Sequence, residues 1–149
     1  MYLMNDSNIS MDIMENEHRL TVVCVTDQFQ CERIIKAGRI IADLTNTNLS
    51  VINVAKPGQE QNPKSLQHLF DVSKLNDGMM SIIYGDDPVK VIINYIKQNK
   101  TNNVLTGMPE NENSILYTIW EKFTHVTFFA VTPEGELKEM TKAFRSAAV

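Results

Sequence analysis

Short apolar runs alternate with stretches of helical spacing along most of this chain, and that alternation leaves few folds open. Leu20–Val25 (LTVVCV) is continuously apolar, with no polar residue at every second place. Such a strand is covered on both faces, as the strands of a parallel sheet are. Glu32–Leu44 follows with Ile34, Gly38, Ile41 and Ala42 at helical spacing, then a turn at Asn46 and Asn48, then a second apolar run, Leu49–Val54. Asn62 followed by Pro63 reads as a side-chain cap and a proline that needs no N–H. The helix it opens shows an inner stripe of Leu66, Leu69, Phe70 and Ser73, and Gly78 is expected to end it. Met79–Tyr84 is the third run. Asp87 and Pro88 repeat the cap-then-proline signal, and Val89, Ile92, Ile93 and Ile96 follow on one helical face. Asn103–Thr106 is a short fourth run. Leu116, Ile119, Trp120 and Phe123 share a helix face, and His125–Val131 is the fifth run.

Five strands joined by four helices are the signature of repeated βαβ units, and the crossovers of such units are right-handed. The expected fold is α/β: a doubly wound, five-stranded parallel sheet, Rossmann-like, with helices on both faces. The 149 residues suit one domain large enough to need no disulfide or metal staple. We expect a polar arm over 1–18, the α/β domain over 19–137, and a tail over 138–149 whose Met140, Ala143 and Phe144 fall on one side of a helix.

Charge and cysteine usage narrow the partners. A net charge of −4, with lysines and arginines scattered, argues against nucleic acid. Two cysteines are too few for a secreted disulfide framework. Cys24 reads as core packing and Cys31 as a helix-start residue. No apolar run approaches the ~20 residues that span a bilayer, and the N-terminus lacks a basic segment followed by an apolar one. A soluble cytoplasmic chain, not attached to a membrane, is the expectation.

In doubly wound folds ligands bind beyond the carboxyl ends of the strands, where the strand order reverses. That rule points to the loops after strands one and four, Thr26–Gln30 and Gly107–Ser114. Asp27 can meet a ribose hydroxyl or simply order its turn. The second loop holds one glycine, Gly107, and adds Glu110 and Glu112, which suit a helix dipole but repel a polyphosphate. In Gly85-Asp86-Asp87, Asp87 reads as a helix cap and Asp86 as a solvated turn residue, so no metal is expected. His18, His68 and His125 have no ligand-type spacing, and neither G-x-x-x-x-G-K-[ST] nor G-x-G-x-x-G occurs. No catalytic constellation can be assembled.

Three segments carry a family likeness. They are the first strand, loop and helix with Cys31-Glu32-Arg33-Ile34-Ile35 at the helix start; Tyr84-Gly85-Asp86-Asp87-Pro88 with the helix behind it; and VLTGMPENENSILYTIWEKF. With these the chain, from about Leu20 to Pro133, resembles the universal stress protein superfamily, most of all the version of that domain found in the potassium-sensor histidine kinase KdpD. The resemblance implies strand order 3-2-1-4-5 and a homodimer through the last strand. It also implies an adenine-type nucleotide ligand: ATP, AMP or, by likeness to KdpD domains, cyclic di-AMP. ATP-binding members carry a G-x-x-G loop closed by Gly-Ser after strand four. Here Glu110 stands where the second glycine falls and no Gly-Ser follows, so that loop is degenerate. The implied binding positions are Thr26, Asp27, Gln28, Val54, Gly107, Met108 and Ser114. Three readings stay open: a non-enzymatic stress-response module sensing a nucleotide, a weak hydrolase using Asp27 or Asp86 with a metal, and a pure protein-interaction domain.

Overall fold

The computed structural model describes residues 19–109 and 115–141. Its strands are β1 (Leu20–Cys24), β2 (Asn48–Ala55), β3 (Gly78–Tyr84), β4 (Thr101–Gly107), β5 (Thr127–Val131) and β6 (Leu137–Glu139). Between them lie a 3-10 turn (Phe29–Cys31) and four helices: α1 (Glu32–Thr45), α2 (Pro63–Leu75), α3 (Pro88–Gln98) and α4 (Ile115–Lys122). One sheet runs in the order β3-β2-β1-β4-β5-β6. The first five strands are parallel, and β6 returns antiparallel to β5.

The sheet is covered on both faces, as its apolar strands require. Val23, Val51, Leu105 and Val131 pack under Ile34 and Ile35 of α1 and Leu69 and Val72 of α2. Their strand neighbours Val22, Ile52, Val104 and Phe128 pack on the opposite face with Ile96 of α3 and Leu116, Tyr117 and Ile119 of α4. Gly38 lets α1 close on the sheet: a Cβ there meets Val23 Cγ2 at 2.5 Å and Leu49 Cδ1 at 2.9 Å. Both cap-then-proline signals work as read. Asn62 accepts from the N–H groups of Lys64 and Ser65, and Asp87 from that of Lys90.

Three local expectations differ from the structure. Gly78 opens β3, and Asp77 (φ 56) makes the left-handed turn after α2. β4 begins at Thr101, because the polar residues at its start are paired inside the fold. Asn103 donates to Thr21 and Thr45 at 3.0 Å each, and the Thr21 and Thr47 hydroxyls share a hydrogen bond at 2.6 Å. The helix expected from 138 onward is a strand at its start: Leu137–Glu139 pair with β5, and the Met140 N–H donates to the Phe128 carbonyl at 2.7 Å. Residues 142–149, like the arm over 1–18, lie outside the described residues. The outer edge of β5 thus carries β6 and is not an open edge. Among the described residues no helix is long and apolar enough to cross a membrane.

Candidate functional site

All five parallel strands end on one rim. β1 and β4 are adjacent there, and their crossovers leave in opposite directions, which opens a crevice between them. A cavity of about 810 Å³ occupies this rim and runs inward between the sheet and α3 and α4. Its floor is one face of the sheet: Cys24, Ile52, Val54, Val104, Thr106 and Phe128. Period-two alternation puts these side chains on the same face although they come from four strands. Pro88 and Ile92 of α3 and Leu116 and Ile119 of α4 form the facing wall. Val25, Thr26, Lys56, Gln59, Gly107, Met108 and Pro109 ring the mouth.

The interior is apolar, and polar groups stand at the opening. Lys56 is the single charged side chain among the described lining residues. Its main-chain N–H donates to the Gln59 Oε1 at 3.1 Å, which folds the turn after β2 back over the opening. Thr106 donates its hydroxyl to the Gly107 carbonyl at 2.8 Å. Val54 adds main-chain groups. The Ile52 carbonyl accepts from Val25 on the β1 side, whereas the Ala55 carbonyl accepts from Gly85 on the β3 side. Alternate residues of a strand turn their N–H and C=O to opposite neighbours, so Val54 turns both toward β1. There β1 has already ended at Cys24.

The loop after β1 is fastened away from the cavity. Asp27 Oδ2 accepts from the Asn62 N–H at 2.7 Å, and Ser65 donates to the Asp27 carbonyl at 2.5 Å. The buried Asn53 donates to the Val25 carbonyl at 3.1 Å and accepts from Gln61 at 2.8 Å. These bonds tie the loop to the start of α2 and leave Thr26 at the mouth, its hydroxyl 3.4 Å from the Cys31 sulfur.

The seven expected binding positions therefore divide. Thr26, Val54, Gly107 and Met108 meet around one cavity. Asp27 and Gln28 do not line it: Asp27 orders its loop, and Gln28 is exposed with its Oε1 accepting from Gln30 at 2.8 Å. Ser114 lies outside the described residues. Sequence reasoning missed Lys56, Gln59 and Thr106, and it took Cys24 for plain core. Cys24 is partly open to the cavity, yet burial pushes its thiol up to about 12. Strand alternation was the available signal for Cys24 and Thr106. Lys56 and Gln59 sit just past β2 in a Pro-Gly turn that carries no motif.

No family model matches the sequence, and no curated protein matches it. Solved structures do resemble the chain. A universal stress protein in complex with cAMP superposes with a TM-score of 0.62 at 16% identity, covering 78% of this chain and 98% of the other. The universal stress protein from Archaeoglobus fulgidus gives 0.58 at 12% identity, covering 82% and 95%. A member of that family from Burkholderia pseudomallei gives 0.50 at 9% identity, covering 72% and 90%. At such identities the likeness speaks for architecture: this chain has the fold of the universal stress proteins.

Proposed function

We propose that this chain is a non-enzymatic, cytoplasmic regulatory module of the universal stress protein superfamily, of the branch seen in KdpD, and that it binds an adenine-type nucleotide at its rim. The observation that carries the reading is the cavity itself. It is a slot with an apolar floor and walls, and a few polar groups converge at its mouth. A purine is flat and largely apolar on its faces, which suits a slot between Ile52 and Val54 on one side and Ile92 on the other. The N–H and C=O of Val54 are a donor and an acceptor facing the place where a base edge would lie. Thr26, Gln59 and Lys56 then face the sugar and phosphate. The cAMP bound to a universal stress protein of this fold favours the same ligand class.

Among the described lining residues there is no His, Asp or Glu, which favours binding over hydrolysis. Of the two carboxylates a metal-assisted hydrolase could use, Asp27 accepts from the Asn62 N–H, and Asp86 is not among the described lining residues. Self-association through a sheet edge belongs to the same reading. Pairing through the last strand now means pairing through β6, whose Lys138 and Glu139 are exposed.

Isothermal titration calorimetry with AMP, cyclic AMP, ATP and cyclic di-AMP tests the ligand. Saturable heat with at least one of them is expected; no heat at millimolar concentration with any of them removes the nucleotide reading. Phosphate release with Mg²⁺ or Mn²⁺ is expected to be at background in both the wild type and Asp27→Ala. A rate above background that the substitution abolishes would make the chain an enzyme.

A further inference from the structure

We propose that β3 is an interaction surface whose outer edge pairs antiparallel with the β3 of a second copy of this chain, across a two-fold axis at Ser81. The surface lies at the opposite end of the sheet from β6, and the inference stands apart from the ligand reading. Sheet ends are normally blunted by short strands, charged side chains, proline or bulges, because an unpaired row of N–H and C=O groups recruits another strand. β6 is blunted in this way: it is three residues long, with Lys138 and Glu139 exposed. β3 has none of these devices. It runs for seven residues, Gly-Met-Met-Ser-Ile-Ile-Tyr, without a charge or a proline, and it pairs with β2 in unbroken register from Gly78 to Tyr84. Among the described residues nothing pairs with its outer side. Around its two ends Leu75, Met79 and Tyr84 are 86%, 74% and 69% exposed.

The backbone fixes which groups are on offer. The Gly85 N–H donates to the Ala55 carbonyl, so alternate residues back from Gly85, namely Ile83, Ser81 and Met79, turn to β2. Gly78, Met80, Ile82 and Tyr84 then turn their N–H and C=O outward. An antiparallel copy centred on Ser81 sets Met80 against the partner's Ile82 and Gly78 against the partner's Tyr84. Each such pair exchanges both of its hydrogen bonds, so no outward group is left over. Side chains match in the same register. Met80 is buried on the α2 face, which Ile82 shares, and Ile83 packs on the α3 face, which Met79 shares. Exposed Met79 falls opposite the partner's Ile83, and the ring of Tyr84 falls over the partner's Gly78, where no side chain obstructs it. This fit selects a second copy over a foreign strand, because every residue finds its complement within the same seven. Charge agrees. The chain carries −4 overall, yet along this edge two copies meet with no like charges opposed, and Asp77 and Asp86 lie beyond its ends.

Seven paired residues a side make a small interface, so a dissociation constant on the order of 10 µM is expected. Sedimentation velocity of the whole chain across that concentration should show monomer passing to dimer. Met79→Lys sets a charge against the partner's Ile83 and should weaken the dimer by about tenfold or more, with an unchanged melting curve showing that the fold is intact. Ser81→Cys tests the axis itself, since directly opposed Cβ atoms stand about 5 Å apart and can close a disulfide. Oxidation with copper phenanthroline should join Ser81→Cys into a covalent dimer. It should not join Tyr84→Cys, or the wild type with its Cys24 and Cys31. Should Met79→Lys fail to fold, Ser81→Cys decides alone. A monomer at every concentration, whether the edge stays free or takes another occupant, overturns the proposal. So does a dimer that a folded Met79→Lys leaves intact, or one that Lys138→Cys captures and Ser81→Cys does not.

Discussion

Cys24 reports on the cavity from its floor, and its reactivity can be worked out before it is measured. Burial raises its thiol from the ordinary 9.0 to about 12. At pH 8 the thiolate fraction then drops by about a thousandfold relative to a free cysteine. Each thiolate is more nucleophilic at the higher pKa, by about twentyfold for a Brønsted slope near 0.45 over three units. The net expectation is alkylation about fortyfold slower than a free thiol, before any steric barrier. The pH profile is equally diagnostic, because the rate should still climb between pH 9 and pH 11, where an ordinary thiol has levelled off. The assay is iodoacetamide labelling of the native chain, with tandem mass spectrometry placing the label on Cys24 or Cys31 and the urea-unfolded chain as reference. AMP at saturation should slow Cys24 further, since the sulfur faces the space the ligand fills. Labelling of native Cys24 at the unfolded rate, or a plateau near pH 9, would refute the argument. The same shift has a stability sign. A folded pKa raised above the unfolded one contributes fully below pH 9, and the contribution is lost as pH rises toward 12, at no more than about 1.4 kcal/mol per pH unit.

Asp27→Ala removes the acceptor of the Asn62 N–H and should cost about 1–2 kcal/mol in urea unfolding while AMP affinity changes less than threefold; complete loss of binding would return Asp27 to the site. Gly38→Ala places a methyl group 2.5 Å from the fully buried Val23. Overpacking of about 1–3 kcal/mol should outweigh the helix-propensity gain of about 1 kcal/mol, so a variant more stable than wild type contradicts the close approach of α1. The hydrogen bond from Lys36, with His68 adding to it, holds the Glu32 carboxyl below the ordinary 4.5. A depressed pKa stabilises above the unfolded value and the effect fades as pH falls. Wild type should therefore lose a few tenths of a kcal/mol more than Glu32→Gln below about pH 4.5, and parallel curves would deny the pairing.

Much of the architecture can be read from residue order because its causes are local or periodic. LTVVC needs cover on two faces, and Asn62-Pro63 and Asp87-Pro88 each satisfy helix N–H groups where they stand. The misreadings have physical causes too. The fourth run reads from Asn103, yet the strand already starts at the polar Thr101, and Asn103 is 4% exposed because threonines from β1 and α1 meet its amide. Leu137-Lys138-Glu139 has no strand composition, and what makes it a strand is its antiparallel pairing with β5. At the site, position along the rim was legible and side-chain role was not. Thr26, Val54, Gly107 and Met108 line the cavity as the topology rule expects, whereas Asp27 turns to the α2 side for a hydrogen bond that no motif announces. Lys56 was missed because a single lysine after a strand has no signature until the apolar slot beside it is seen.

A ligand held in the crevice at the carboxyl ends of β1, β2 and β4 should be visible amide by amide when ¹⁵N-labelled chain is titrated with AMP. Thr26, Val54, Lys56, Gly107 and Met108 should shift together and saturate together, while Leu44, Leu75 and Met79 at the opposite ends of the helices and strands stay in place. No shifts at millimolar AMP, or shifts centred on those distal residues, would contradict it.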